Sequence, residues 1–180
     1  MRTVIRLVAQ DALLLDGTLL ENLFTFSEGA LDEAAAWQEL EWVGMRRRVE
    51  ALPERLHTRV GDSTFSSGER QLLSLCRACL SGGGRQTLRL LLCDEPTSNV
   101  DLSLDQLVHK ALLALPQTVL MICHRLQHIG GFDRVLVLDQ GQVVEDGEPA
   151  TLLHDPDSRL SSMCAQVGIS SHAVAVAHRR

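Results

Sequence analysis

Asp94 and Glu95 stand side by side at the end of a short apolar run, Leu90-Leu91-Leu92-Cys93, just before Pro96. Carboxylates directly after a buried strand lie where α/β proteins bind ligands. Asp94 there suits a water-mediated magnesium contact, and Glu95 suits polarising a water for attack on a phosphoryl group. Acidic residues also end strands with no such role. A second apolar run, Val119 to Cys123, ends in His124. An imidazole at that place can bond a phosphate oxygen or the attacking water, or it can simply cap a strand. Ser66-Ser67-Gly68 opens a helical pattern. Its backbone N–H groups, the Ser66 hydroxyl and the helix dipole make an anion site, with glycine allowing close approach; an ordinary N-cap is the other reading. Gln10 closes the first strand-like stretch, where it could reach a metal or water. Each signal is modest alone. The order glutamine, small-residue turn, Asp-Glu strand, histidine strand is far more specific.

The elements that must carry these residues follow from periodicity and punctuation. Thr3 to Ala9 alternates and is rich in Val, Ile and Leu, which predicts a strand. Thr18 caps a short helix through Leu23 after the Asp16-Gly17 turn. Leu31 to Val43 is helical, Val49 to Leu52 adds a turn before Pro53, and Leu56 to Phe65 reads as loop. Ser67 to Leu80 has a broad apolar face made by Leu72, Leu75, Cys76, Cys79 and Leu80, and Ser81-Gly82-Gly83-Gly84 stops it. Leu88 to Cys93 and Thr118 to Cys123 lack clean alternation, which predicts strands buried on both faces of a parallel sheet. Leu104 to Leu115 is an amphipathic helix ended by Pro116. Gln140-Gly141 joins a hairpin of Arg134–Asp139 and Gln142–Glu145. Pro149 to Leu153 and Ser158 to Val167 are helical, and the tail from Gly168 carries weak signals and is expected to be mobile. Alternating strands and helices give an α/β fold with a mostly parallel sheet. The stretch between Leu19 and Phe65, read as helices only, looks like a helical insertion.

Composition bounds the rest. The chain has 180 residues, of which 45% are hydrophobic and 22% charged, enough for one domain with a sizeable core. No apolar run approaches the ~18 residues that span a bilayer, so the chain is expected to be soluble by itself. Met1 to Gln10 lacks a signal-peptide layout, because Arg6 interrupts it. The formal net charge of −6 argues against nucleic-acid binding. Arg46-Arg47-Arg48 reads as a solvated helix face. The five cysteines suit a reducing compartment. Cys93 and Cys123 read as buried small hydrophobes, and the Cys76-x-x-Cys79 spacing lies inside a helix with no second pair beside it.

With these residues in place the chain resembles the nucleotide-binding domain of ATP-binding-cassette (ABC) transporters. Val8-Ala9-Gln10-Asp11 is similar to the Q-loop, and Leu15 to Leu23 to the exporter segment that follows it. Phe65-Ser66-Ser67-Gly68-Glu69 is similar to the signature motif, Leu90 to Asp94 to Walker B, and Glu95 to the catalytic glutamate. Ser98-Asn99-Val100-Asp101 matches the D-loop and His124 the switch histidine. The wording around Glu21-Asn22-Leu23, Trp37, Leu52-Pro53 and Arg70 to Leu73 looks most like the second nucleotide-binding domain of subfamily C, the multidrug-resistance-associated proteins. The resemblance implies a partial P-loop NTPase fold of ABC type over residues 1–167, with a helical signature subdomain at 19–80, and a tail at 168–180. It implies Glu95 and His124 as catalytic residues and Gln10, Ser66, Ser67, Gly68, Glu69 and Asp101 as nucleotide contacts. Asp94 and Gln10 are the implied metal site, with ATP and Mg2+ as cofactors. The implied partners are a second nucleotide-binding domain and the transmembrane domains of an exporter, at the cytoplasmic face of a membrane, with no nucleic acid.

The departures matter as much. No G-x-x-x-x-G-K-[ST] occurs in the 180 residues, and Lys110 is the single lysine. The usual signature leucine is Phe65 and the usual glutamine is Glu69. A carboxylate there places like charge near an anion, offset in part by Arg70 and the helix N-terminus, or else it points outward and matters little. The chain reads as a fragment of a larger transporter, or as a catalytically inactive module that only offers a signature face to a complete domain. A family element in the middle of the sheet being absent, the apolar edges of the Asp94 and His124 strands are expected to be exposed. A soluble cassette protein acting on DNA or ribosomes fits neither the acidic charge nor the Gly17-to-Leu23 segment.

Overall fold

The computed structural model describes residues 4–25, 31–61, 63–80, 88–98 and 100–169. They fall into two compact units, 1–122 and 123–180. The first is built on a three-stranded parallel sheet in the order β1 (Val4–Val8), β4 (Leu88–Asp94), β5 (Thr118–Ile122). Between β1 and β4 the chain forms β2 (Gly17–Thr18), α1 (Leu19–Leu23), α2 (Glu33–Trp42), α3 (Arg46–Glu50), β3 (Arg59–Val60) and α4 (Ser67–Leu80). The α5 helix (Leu102–Leu113) links β4 to β5.

Local chemistry explains these boundaries. Thr18 and Glu21 form a capping box on α1: the Glu21 amide donates to Thr18 Oγ1 and the Thr18 amide to Glu21 Oε2. Asp32 caps α2 through the Ala35 amide. The expected α4 is found from Ser67 to Leu80, and its apolar face packs Leu72, Leu73, Leu75 and Cys76 into the core with Leu40, Val49, Leu88 and Leu91. The 45–52 stretch holds one short helix, α3, earlier than the apolar signal suggests, with Val49 as its buried residue. The 81–87 glycine-rich stretch and the tail from 170 lie outside the described residues.

Three expectations are corrected. The 19–65 insertion is not helical throughout: β3 pairs antiparallel with β2, Thr18 opposite Arg59 and Gly17 opposite Val60, and a 3-10 turn covers Arg55–His57. A ladder two residues long leaves no period-2 signal to read. The parallel strands are buried on one face only. Leu91 and Cys93 are buried, whereas Ile5 is 55%, Leu7 63%, Leu120 54% and Ile122 56% exposed. The register sets Ile5 beside Leu90, Leu7 beside Leu92, and Leu92 beside Leu120, so these side chains form one uncovered apolar face. The edges of the Asp94 strand are likewise not open, since β1 and β5 flank it; the outer edges among the described strands belong to β1 and β5.

The second unit contains a 3-10 segment (Leu126–Gly131), the antiparallel hairpin β6 (Val135–Asp139) and β7 (Gln142–Gly147), then α6 (Pro149–His154) and α7 (Arg159–Gln166). Gln140 (φ 48°) and Gly141 (φ 78°) turn the hairpin with both central residues left-handed, the twist that a two-residue turn needs. Leu126, Ile129, Val135, Leu153, Leu160 and Cys164 form its core. Glu145 on β7 caps α7, accepting from the Ser158 hydroxyl and the Leu160 amide. Among the described residues no helix is long and apolar enough to cross a membrane.

Candidate functional site

In the first unit β1, β4 and β5 run the same way, so their carboxyl ends share one edge. Val8 pairs with Cys93, and Asp94 with Ile122. Gln10, two residues beyond Val8, therefore leaves the sheet at the edge where Asp94 and Glu95 leave it. Gln10 is exposed, and Asp94 and Glu95 are half-buried. Cys93, just inside, is inert: burial, and then the neighbouring Cys79, pushes its thiol pKa up to about 12.

Glu95 has a left-handed backbone, φ 45°. For a side chain with a Cβ that conformation costs ~1–2 kcal/mol. It is held by two main-chain bonds, the Glu95 amide to the Ile122 carbonyl (3.2 Å) and the Ser98 amide to the Glu95 carbonyl (3.1 Å). Strain retained at a carboxylate on the ligand-binding edge of a sheet is the kind that accumulates at working residues. Asn99 lies outside the described residues. Asp101 is the N-cap of α5, its Oδ1 accepting from the Ser103 amide (2.9 Å), the Ser103 hydroxyl (2.6 Å) and the Leu104 amide (3.0 Å). The Ser103 hydroxyl first, and then the Leu104 amide, hold its carboxyl below the usual carboxylate range. His124 belongs to the second unit and is exposed there.

The N-terminus of α4 contains a feature the sequence reading missed. Ser66 and Glu69 form a reciprocal pair: the Ser66 amide donates to Glu69 Oε2 (2.8 Å) and the Glu69 amide to Ser66 Oγ (3.2 Å). The Ser66-x-x-Glu69 spacing is a capping-box pattern, and that was the available signal. The other carboxylate oxygen, Glu69 Oε1, takes Arg48 Nε at 2.8 Å. Arg48 Nη2 also donates to the Thr64 carbonyl (2.8 Å), and its guanidinium lies 5.4 Å from the Phe65 ring centroid. The Arg46–Arg48 stretch is therefore not merely a solvated face. Arg46 does lie outside, on Glu50 and the Trp37 ring, but Arg48 turns inward and braces the turn that carries Ser66, Ser67 and Gly68. Glu69 thus pairs with Arg48, 21 positions earlier in the chain.

The carboxyl edge and α4 are physically joined. Gln71 is 1% exposed and its Nε2 donates to the Ala9 carbonyl at 2.9 Å, one residue before Gln10. The structure thus groups Gln10, Asp94 and Glu95 on one edge. Ser66 to Glu69 form a turn on a helix bonded to that edge, and Asp101 sits at a separate helix start.

No family model matches the chain. Among curated proteins it is 36% identical over 166 residues to a multidrug resistance protein of Leishmania tarentolae, an alignment covering 90% of this chain and 10% of that protein. It is 36% identical over 172 residues to the ATP-binding cassette sub-family C member 4 of Mus musculus, covering 93% and 12%. The chain thus spans about a tenth of the length of the curated relatives it matches. Among solved structures it is similar to a bacterial Atm1-family ABC exporter with ATP bound, at a TM-score of 0.80 and 28% identity, over 92% of this chain and 29% of that one.

Proposed function

From the homology of this chain to the ABC transporters of subfamily C, which runs along 90% or more of its length in both sequence comparisons, we propose that it serves as part of an ATPase domain that powers solute export. The observation that carries the reading is the carboxyl edge of the parallel sheet. It places Gln10, Asp94 and a left-handed Glu95 together, with the signature helix bonded beside them.

The donor set fits the cofactors. Gln10 and Asp94 offer hard oxygen ligands at one edge, the kind that Mg2+ takes alongside water and phosphate oxygens. Bound there, the ion would neutralise charge on the phosphates of ATP. Glu95 accepts a proton from, or orients, the water that attacks, while His124, in the second unit, keeps only the role that the resemblance implies. Ser66, Ser67 and Gly68 offer an anion site at the start of a helix of 14 residues. Of its amides, those of Ser66 and Glu69 are already engaged within the turn, which leaves Ser67 and Gly68 to meet a phosphate. Asp101, the N-cap of α5, is a further candidate nucleotide contact. The 180 residues contain no lysine-bearing phosphate loop, so these residues supply catalytic edge and signature face but not the grip on the β- and γ-phosphates. The partners are then another nucleotide-binding domain and exporter transmembrane domains.

That same missing loop supports a second reading, a module that presents only its signature face to nucleotide held by a complete domain. Sedimentation of the chain with a complete nucleotide-binding domain of a relative tests the signature face that both readings require. An equimolar complex is expected with ATP, absent without it and weakened by Ser66→Arg. Association that ignores ATP, or survives the arginine unchanged, would overturn this assignment.

A further inference from the structure

The short segment that carries Gln10, from Ala9 to Leu15, has little regular structure of its own, yet three side chains hold its main chain. Gln71 Nε2 donates to the Ala9 carbonyl (2.9 Å) and Arg77 Nη1 to the Leu13 carbonyl (2.8 Å). Both come from α4, six residues apart, which is ~9 Å of helix. Arg77 also donates through Nε to the Asn22 carbonyl (2.8 Å) and through Nη2 to Asn22 Oδ1 (3.2 Å). Asn22, 2% exposed, closes the far end, with the Leu15 amide on its Oδ1 (2.7 Å) and its Nδ2 on the Leu15 carbonyl (2.8 Å). Gln10 and Asp11 lie between the anchors and are exposed.

We propose that Gln71 and Arg77 are positioning residues that clamp the Gln10 loop to the signature helix, so that the loop follows α4 rather than the sheet from which it emerges. The geometry gives the reason. β1 stops at Val8, and beyond it the Ala9 and Leu13 carbonyls are bonded by side chains of a single helix, α4. Carbonyls bonded to a guanidinium are held more strongly than by neutral donors. A ligand that shifts the Ser66–Gly68 turn would move Gln71 and Arg77 on the same rigid helix, and with them the backbone on both sides of Gln10. The functional consequence rests on the proposed role of Gln10 at a metal or water; the clamp itself does not.

The test is 15N relaxation on the whole 180-residue chain without nucleotide. Amides of Gln10 to Ala12 are expected near the rigid order parameter of ~0.85 in the parent chain and below ~0.6 in Gln71→Met and Arg77→Met. The amides of Leu72 to Leu80 should stay unchanged in both. Arg77→Lys, which keeps one charged donor, should recover half or more of the lost order. Loop values that do not fall, helix values that fall with them, or no recovery with lysine would each overturn the clamp. Because no nucleotide is present, such a failure leaves the role of Gln10 standing; that role is read separately, from loss of turnover in Gln10→Ala in the form joined to a phosphate-loop segment of a relative.

Discussion

Glu95→Gln is expected to lower steady-state ATP turnover by ~10²–10⁴-fold in a form of this chain joined to the phosphate-loop segment of a subfamily C relative. The carboxylate stands next to Asp94 at the strand end, in a backbone conformation that a residue with a Cβ adopts only under constraint. Glutamine keeps the size and the hydrogen-bonding plane but is a poor proton acceptor. ATP affinity should therefore change little while turnover collapses. A spectrophotometric phosphate assay with a parallel nucleotide-binding titration separates the two. Retained turnover would move the water-activating role to another group, and lost binding would make Glu95 a structural residue of the nucleotide site.

The second large effect concerns charge at the Ser66–Glu69 turn. The family-like motif carries Glu69 where glutamine is usual, and a bare carboxylate ~6 Å from a phosphate charge is opposed by ~3 kcal/mol at an effective dielectric of ~20. The structure shows that this carboxylate is not bare, because Arg48 pairs with it at 2.8 Å and Ser66 donates to it. Arg48→Gln is therefore expected to weaken ATP-dependent association with a complete domain by ~10–100-fold, by exposing the Glu69 charge to the opposing phosphate. Glu69→Gln alone should change it less than ~3-fold, since a neutral side chain removes attraction to Arg48 and repulsion of the phosphate together. The double variant Arg48→Gln, Glu69→Gln should recover most of the loss. The double-mutant cycle over association constants checks this, and the Arg48 effect should shrink at high salt. An Arg48 defect that persists undiminished in the double variant would assign Arg48 a packing role on Phe65 and Thr64 rather than an electrostatic one.

The sequence made the carboxyl edge with Gln10, Asp94 and Glu95 legible because each of its parts ends an apolar run. Leu90 to Cys93 before Asp94, and the alternation before Gln10, place strand ends without knowledge of the neighbours. The α4 helix was legible for a similar reason, with an apolar face of several turns and a small-residue start. What stayed hidden depends on distance along the chain. Gln71 reaches Ala9 across 62 positions, Arg77 reaches Leu13 across 64, and Arg48 reaches Glu69 across 21. No periodicity encodes such pairs. The β2–β3 ladder was missed because two residues on each side carry no alternation. The one-sided burial of β4 and β5 was missed because a run of leucines reads the same whether one face or two are covered. In this chain Leu7, Leu120 and Ile122 remain more than half exposed on the uncovered face.

The most direct test of the account is ATP turnover by the purified 180-residue chain with Mg2+, measured beside the form joined to a phosphate-loop segment. The account predicts no turnover above background from the chain by itself and ~1 per second or faster from the joined form, the ordinary range for enzymes. Turnover at that rate by the chain alone would contradict the claim that the grip on the β- and γ-phosphates is not among its residues. A folded joined form that binds ATP yet never hydrolyses it would contradict the claim that Gln10, Asp94 and Glu95 form a catalytic edge.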